Sequence, residues 1–318
     1  MTPDVFQEIP CPTAASLLQE LSPSHDRWLH TGGRAQWIFR GQEDSLWKLQ
    51  PSAFRGNGFP ANEFGSADAR VHPATLDEQL REEARAINDF ASTCMRAGLP
   101  LPEDGQWLRN PTLAGELFPM GSNVRPSHGG NHPFPLLRSI YALAQHHGIP
   151  TRLLDWSFDP HVAAYFACKD VAKALALGKI EPEGECSIFA LRKDEAIHML
   201  SAVEGYSEFE LVEVTAPYDA NPNLRAQRGT FTLVVRRFGR PSVSPKLPTI
   251  EDLLSDYIAG ATLVPKPRVP TLLRFDFPKS ECRKLLRFLA DLNITAATIY
   301  PGYDGATKAV AEICYYDT

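Results

Sequence analysis

The sequence lacks the features that direct a protein to a membrane or into a secretory pathway. Its first residues, Met1-Thr-Pro-Asp-Val-Phe6, have neither a basic start nor an apolar stretch, so they do not resemble a signal peptide. No apolar run approaches the length that a membrane span requires. We therefore predict a cytoplasmic protein that has no membrane partner.

Motifs that indicate a particular chemistry are also missing. The six cysteines are scattered and include no CxxC pair, so we expect no metal site. Neither GxGxxG nor GxxxxGK[ST] occurs, which excludes the common glycine-rich phosphate loops. Without a GxSxG elbow, a hydrolase of the nucleophile–base type has little support. The formal net charge of -6 gives no reason to expect tight binding to bulk nucleic acid.

The composition that remains is typical of an ordinary globular protein. The chain has 318 residues, of which 43% are hydrophobic and 22% are charged, so it can bury a substantial core. Its apolar patterns alternate between helical and strand periods, which predicts an α+β fold of short, mostly antiparallel strands with flanking helices. We expect helices over 14–21, 75–96, 136–147 and 280–292, and strands over 37–42, 47–54, 186–191 and 271–277.

The most informative stretch runs from Ala144 to Ala167, because it sets charged and aromatic groups among apolar ones. Leu153 and Leu154 predict a buried strand, and Asp159-Pro160 is a typical start for the helix that follows. Polar groups at a strand-to-helix junction are suited to a binding cleft. The alternative is a structural ion pair between Arg152 and Asp155 with Trp156 in the core.

Three further side chains, one before this stretch and two within it, indicate possible functional roles. Arg40 lies in an apolar β-type run, so it must be paired, with Asp155 or Glu43, or must face a ligand. His146 and His147 end a predicted helix that Gly148 closes. Either histidine can act as a general base, or the pair can interact with the helix dipole.

Several of these motifs together resemble the FRG domain, a bacterial and phage-associated family named for its Phe-Arg-Gly motif. Phe39-Arg40-Gly41 matches that motif, and Gln42 follows it as in the family. One departure is Ser157, which stands where the family more often has threonine and which retains the hydroxyl. The resemblance continues, in the same order, through Pro51 to Arg55, Gln145 to Trp156, Ala163 to Ala167, Gln227 to Phe231 and Tyr300 to Gly305.

The resemblance also suggests how the chain is divided. We predict an N-terminal helical extension over residues 1–30 and an FRG domain over 31–312. The Pro- and Gly-rich stretches near 97–133 and 238–270 are interpreted as insertions into that domain.

The order of the motifs is similar to that of ADP-ribosyltransferases that carry an arginine on an early strand, and the expected fold is ADP-ribosyltransferase-like. This resemblance implies NAD as substrate and a role as a toxin or phage-defence effector. It makes Arg40 the phosphate clamp and Gln227 the residue of the late turn, while Asp155 and His147 complete the catalytic set. The implied ligand-binding residues are Gln42, Arg55, His146, Thr151, Arg152, Trp156, Ser157 and Tyr165.

A neutral Gln227 lacks the carboxylate that usually stabilises positive charge on the ribose, although Asp155 can supply it. A second hypothesis therefore stays open: a non-catalytic module that recognises a nucleotide, a nucleic acid or a phage protein. An enzyme would require a protein or nucleic-acid acceptor, or water. Arginines with aromatic neighbours suit either hypothesis.

Overall fold

A computed structural model describes residues 5–29, 36–55, 75–102, 138–202, 208–215, 221–236, 246–260 and 269–316 of the chain. Most of the predicted insertion at 97–133 lies outside these ranges. The described part contains seven strands. They are β1 (Phe6–Pro10), β2 (Trp37–Gln42), β3 (Leu153–Ser157), β4 (Glu185–Arg192), β5 (Phe209–Val214), β6 (Gly229–Arg236) and β7 (Leu272–Pro278).

The helices of the described part alternate with these strands. They are α1 (Ala14–Glu20), α2 (Asp26–Leu29), α3 (Leu76–Arg96), α4 (Arg138–His146), α5 (Pro160–Ala176), α6 (Lys193–Ala202), α7 (Pro222–Ala226), α8 (Ile250–Gly260), α9 (Cys282–Asp291), α10 (Ala296–Ile299) and α11 (Tyr303–Glu312). The predicted helices over 14–21, 75–96, 136–147 and 280–292 are confirmed within a few residues.

Local capping explains where two of the helices begin. Thr75 accepts a hydrogen bond from the Glu78 amide, and the Glu78 carboxylate accepts one from the Thr75 amide, a reciprocal capping box for α3. Asp159 caps α5 by accepting from the His161 amide, and Pro160 occupies the first turn. These signals lie within one turn of chain and are therefore readable in the sequence.

All seven strands form one sheet in the order β1-β7-β4-β2-β3-β6-β5. Only β1 and β7 are parallel, and every other neighbouring pair is antiparallel. Helices cover both faces, because one apolar cluster joins the sheet to α3, α4, α6 and α8 and the other joins it to α1, α2, α5, α9 and α10. The predicted α+β class with mostly antiparallel strands is confirmed.

One local prediction needs correction, and two predicted segments contain structure that the sequence did not indicate. The strand expected over 47–54 is wrong. These residues form a loop that ends in a 3₁₀ turn, Ser52–Phe54, because their backbone groups form hydrogen bonds within turns and with the Glu251 side chain. The predicted insertion at 238–270 contains the helix α8. Residues 1–30 are more than a helical extension, since β1 pairs with β7 within the sheet. The domain boundaries themselves stay predictions.

Candidate functional site

The candidate site lies where the sheet splits between two central strands. Strand β2 pairs with β4 along its whole length, but it pairs with β3 only at Phe39 and Ser157. Beyond that pair the strands separate, and a cavity of about 490 Å³ lies beside them. A cavity of this volume falls within the range of small-molecule sites.

Arg40 bridges the gap between the two strands. Its Nη1 donates a hydrogen bond to the Asp155 carbonyl oxygen at 2.8 Å and lies 3.5 Å from Asp155 Oδ2. The side chain is only 14% exposed, and within the part of the chain that the structure describes its buried Nε–H has no acceptor. Burial lowers the pKa of Arg40, although Asp155 opposes that shift. A guanidinium nevertheless stays charged at neutral pH.

The Asp155 carboxylate is held in place while remaining accessible. Gln145 Nε2 donates to Asp155 Oδ1 at 2.6 Å, and the Thr151 hydroxyl donates to Gln145 Oε1. The Asp155 side chain is 60% exposed. Thr151 is fully buried and lies outside the cavity lining, so it positions Gln145 and is not placed to touch a ligand.

Further charged groups line the same cavity. Arg55 is exposed at one side and donates its Nε–H to the Gln50 carbonyl oxygen at 3.1 Å. Lys169 comes from α5, and Glu43 follows β2. Burial and the neighbouring Asp170 carboxylate raise the pKa of Glu43. The cavity thus contains three cationic side chains and two carboxylates.

The side chains of the two adjacent histidines lie in different surroundings. His146 lines the cavity, and its Nε2 lies 3.2 Å from Asn223 Nδ2. Burial and the neighbouring His147 lower the pKa of His146, although Asp155 opposes the shift. His147 instead stacks on Phe90, with ring centroids 6.4 Å apart. The structure therefore brings His146, rather than the predicted catalytic His147, to the cavity.

Three predicted residues line the cavity but are already engaged with the protein. Trp156 is 3% exposed and donates its indole N–H to the Thr232 hydroxyl at 2.8 Å. The Ser157 hydroxyl donates to the Gln227 carbonyl oxygen at 2.7 Å, which ties β3 to the turn before β6. Gln227 Nε2 lies 3.5 Å from the Ile299 carbonyl oxygen. Ser157 is therefore mainly a structural link between two sides of the site.

Arg152 and Tyr165 lie away from the cavity. Arg152 donates from Nε to Glu83 Oε2 at 2.5 Å and from its backbone N–H to Glu83 Oε1 at 2.6 Å. Glu83 is fully buried. Burial lowers the pKa of Arg152, but the charges and hydrogen bonds of Glu83 and Tyr141 together oppose that shift and leave the pKa raised. Arg152 therefore pairs with Glu83 rather than with Asp155, and its role in ligand binding stays a prediction. The Tyr165 ring is 1% exposed, and its hydroxyl donates to Glu312, so it offers no surface for stacking.

The cavity collects eight of the twelve residues predicted from the sequence, which are Arg40, Gln42, Arg55, His146, Asp155, Trp156, Ser157 and Gln227. Their roles stay predictions. Sequence reasoning missed Glu43, Trp47, Gln145, Phe166, Lys169, Asn221 and Tyr300, which also line it. Phe166 and Lys169 follow Ala163 at steps of three residues along α5, so helical spacing was a signal for them.

A second cavity, of about 420 Å³, opens beside the start of α5. Its charged groups satisfy one another: Arg228 Nη1 contacts Asp159 Oδ2 at 3.1 Å, and His161 Nδ1 contacts Asp159 Oδ1 at 3.1 Å. Burial alone would raise the pKa of Asp159, but the hydrogen bonds of His161 and the charge of Arg228 lower it. The first cavity is the stronger candidate because it contains a buried donor that has no partner among the described residues.

The described residues lack two features that mark other functional classes, a cluster of metal-ligating side chains and a helix that can span a membrane. Among those residues, no three or more His, Cys, Asp or Glu side chains group closely enough to hold a metal ion. None of the described helices is both long enough and apolar enough to cross a bilayer. The absence of a cofactor metal and the cytoplasmic location stay predictions.

Comparison with known proteins gives one result for the family and none for individual relatives. Neither the curated proteins nor the solved structures include a match to this chain. The family model of the FRG domain matches residues 121–175, a segment that contains α4, β3 and nearly all of α5. Gln145, His146 and Asp155 lie within it, whereas Arg40 and Gln227 lie outside. The resemblance predicted from the sequence is therefore confirmed over the central stretch: residues 121–175 match the FRG domain.

Proposed function

We propose that this chain binds a nucleotide in the cavity between β2 and β3, and that the nucleotide is NAD. The observation that carries the proposal is the Arg40 guanidinium, whose buried Nε–H lacks an acceptor among the described residues at the edge of this cavity. Phosphate oxygens are well matched to guanidinium donors. Arg55 and Lys169 line the same cavity and favour an anionic ligand.

The reaction that best suits these side chains is cleavage of the bond between nicotinamide and ribose. The electron pair of that bond leaves with nicotinamide, and positive charge develops on the ribose. An acceptor nucleophile, or water, then bonds to the ribose carbon and loses a proton. The exposed Asp155 carboxylate is suited to stabilise the positive charge, and neutral His146 is suited to take the proton.

The order of the elements supports an ADP-ribosyltransferase or a related glycohydrolase. Arg40 lies on β2, Ser157 ends β3 before α5, and Gln227 lies in the turn before β6. In enzymes with this order of motifs, ADP-ribose passes to a protein or nucleic-acid acceptor, or to water. The biological role that follows is that of a toxin or phage-defence effector in bacteria.

A second candidate function, nucleotide recognition without turnover, is favoured by a different observation. The Asp155 carboxylate already accepts a hydrogen bond from Gln145 and lies 3.5 Å from Arg40. Both contacts reduce the negative charge that it offers to a ligand. Gln227, in the late turn, is neutral and can only hydrogen-bond a ribose hydroxyl.

The test is incubation of the purified protein with NAD, alone and with nucleic acid or cell lysate, followed by mass spectrometry of nicotinamide and of modified acceptors. Arg40→Ala should abolish turnover. Arg40→Lys keeps the charge but loses the planar fork, and should lower turnover at least about tenfold. Asp155→Asn should reduce turnover more than it weakens NAD binding measured by calorimetry.

Arg287→Ala is the matched control, because Arg287 is an exposed arginine on α9 that pairs with Asp291 outside the cavity. It should leave turnover unchanged, and circular dichroism should show that every variant is folded. If NAD is not turned over, but raises the melting temperature of the wild type and not that of Arg40→Ala, the result would favour the binding module. If NAD neither binds nor reacts, the proposal fails.

A further inference from the structure

An exposed aromatic ring stands at the rim of the candidate site. Trp47 lines the cavity and yet is 50% exposed. The other described tryptophans, Trp28, Trp37 and Trp156, are 3% exposed or less. Leaving a large apolar ring in water forfeits the free energy that its burial would contribute. A half-covered tryptophan at a cavity rim is therefore suited to a ligand that covers it.

Hydrogen bonds and an ion pair hold the loop that carries Trp47 in place. Asp44 Oδ1 accepts from the Leu46 amide at 3.0 Å, and Asp44 Oδ2 lies 3.2 Å from Lys279 Nζ. The Leu49 amide donates to Glu251 Oε1, on α8, at 2.9 Å. The loop is thus fixed on both sides of Trp47. A fixed aromatic ring loses little conformational entropy when a ligand binds.

Cationic groups line the same cavity as this ring. The Gln50 carbonyl oxygen, three residues beyond Trp47, accepts a hydrogen bond from Arg55 Nε at 3.1 Å. Arg40, on the strand that leads into this loop, lines the same cavity. An aromatic face near guanidinium groups is the combination that binds a nucleobase together with its phosphates.

We propose that Trp47 stacks on the adenine ring of the nucleotide whose phosphates bind Arg40 and Arg55. The assignment of the ring to adenine rests on the proposed function, because that function directs the nicotinamide ribose toward Asp155 and leaves the second base for the rim. Trp47 is then the residue that selects an adenine nucleotide over free phosphate or ribose phosphate.

The test measures binding of ADP-ribose and of nicotinamide mononucleotide, two fragments of NAD of which only the first carries adenine and only the second carries nicotinamide. ADP-ribose should quench tryptophan fluorescence, and the quench should disappear in Trp47→Phe. By calorimetry, Trp47→Ala should weaken ADP-ribose binding about 10- to 100-fold, whereas Trp47→Phe, which keeps a ring to stack, should stay within about threefold. Leu46→Ala is the matched control, because Leu46 is 88% exposed on the same loop but does not line the cavity.

The outcomes separate this inference from the catalytic one, because ADP-ribose has no nicotinamide bond to cleave. Adenine-dependent quenching that needs Trp47 supports the inference even if NAD is never turned over. Turnover of NAD with unchanged ADP-ribose binding in Trp47→Ala overturns it and leaves the catalytic proposal standing. Quenching by nicotinamide mononucleotide alone also overturns it, since the ring would then face the other base. No binding of ADP-ribose overturns it as well.

Discussion

At the scale of single residues, the arginines predicted for the site divide into those that the protein has already paired and those that keep a donor for a ligand. Arg152 belongs to the first kind, since the buried Glu83 carboxylate takes both its side-chain and backbone donors. Arg40 belongs to the second kind, because its bond to the Asp155 carbonyl leaves the Nε–H without an acceptor in the described structure. The pairing of each arginine, rather than its charge alone, indicates its role.

The surroundings of His146 predict how the proposed cleavage of NAD depends on pH. Burial and the charge of His147 lower the pKa of His146 below its ordinary value of 6.5, so His146 is neutral at pH 7 and able to accept a proton. Protonation removes the base, so the rate of NAD cleavage should fall on the acid side, with its midpoint below pH 6.5. His146→Gln should lower kcat about 10²- to 10⁴-fold and remove this acid limb from the pH–rate profile.

His147→Gln is the control for this prediction, because His147 stacks on Phe90 outside the cavity. It should keep most of the activity. Since the charge of His147 contributes to the low pKa of His146, its removal should move the acid limb toward higher pH. An acid limb that persists unchanged in His146→Gln would show that another group is the base.

At the scale of elements, each residue of the Phe-Arg-Gly motif on β2 makes a different kind of contact. Phe39 is fully buried and packs edge-on against Trp28, with ring centroids 5.6 Å apart. Arg40 bridges to β3 where the two strands separate. Gly41 lies against the backbone of α5, where a Cβ atom would come within 2.0 Å of the Ala163 carbonyl oxygen. The motif thus contributes to core packing, to the lining of the candidate site and to close contact with a helix.

Gly41→Ala should therefore destabilise the fold as well as the site. The added methyl group would also lie 2.7 Å from the Ala167 amide nitrogen, and backbone atoms of α5 cannot move aside as a flexible side chain can. Overpacking of this kind costs about 1–3 kcal/mol, and more where backbone must shift. Urea unfolding should show a lower free energy of unfolding, and NAD binding should weaken because β2 carries Arg40.

Gly229→Ala is the comparison for that experiment. The closest contact of its added methyl group would be the Leu224 side chain, at 2.4 Å from Cδ1, whereas the nearest backbone atom, the Leu224 carbonyl oxygen, would lie at 3.4 Å. A side chain can change rotamer, so the loss in the free energy of unfolding should be smaller than for Gly41→Ala. Equal losses in the two variants would contradict the close contact between β2 and α5.

At the scale of the whole molecule, the sheet joins segments from the two ends of the described chain. Strand β1 pairs in parallel with β7, with Phe6 opposite Leu272, and Ile9 adds to the core beneath them. The cavity is assembled in the same way, from residues around β2, from α4 to α5, from the turn before β6 and from Tyr300. The site therefore depends on the complete sheet rather than on the central stretch alone.

Deletion of residues 2–11 should lower the melting temperature and cause self-association. It removes β1 and exposes the backbone edge of β7, which can then pair with another chain. Calorimetry measures the first effect, and size-exclusion chromatography with light scattering measures the second. Gln7→Ala is the control, because it removes an exposed side chain from β1 without changing backbone pairing, and it should alter stability by no more than about 0.5 kcal/mol. A deleted protein that stays monomeric with an unchanged melting temperature would contradict this role.

Several features of this protein were determined by the sequence itself. The capping boxes, the Asp159-Pro160 start of α5 and the apolar periods of α3 and α9 act within one or two turns of chain, so they could be predicted. Eight of the twelve site residues predicted from the sequence also line the cavity. In contrast, the loop over 47–54 has the composition of a strand. Its backbone groups nevertheless form hydrogen bonds within turns and with the side chain of the distant Glu251.

Only the tertiary structure decided which of the marked residues share one site. Arg152 pairs with Glu83, which lies 69 residues away in the sequence, and Tyr165 bonds to Glu312, which lies 147 residues away. No local sequence pattern indicates either partner. The separation of β2 from β3, which creates the cavity, depends on how two distant strands pair. The physical reason is that periodicity and capping are local interactions, whereas ion pairing and strand pairing depend on packing across the whole chain.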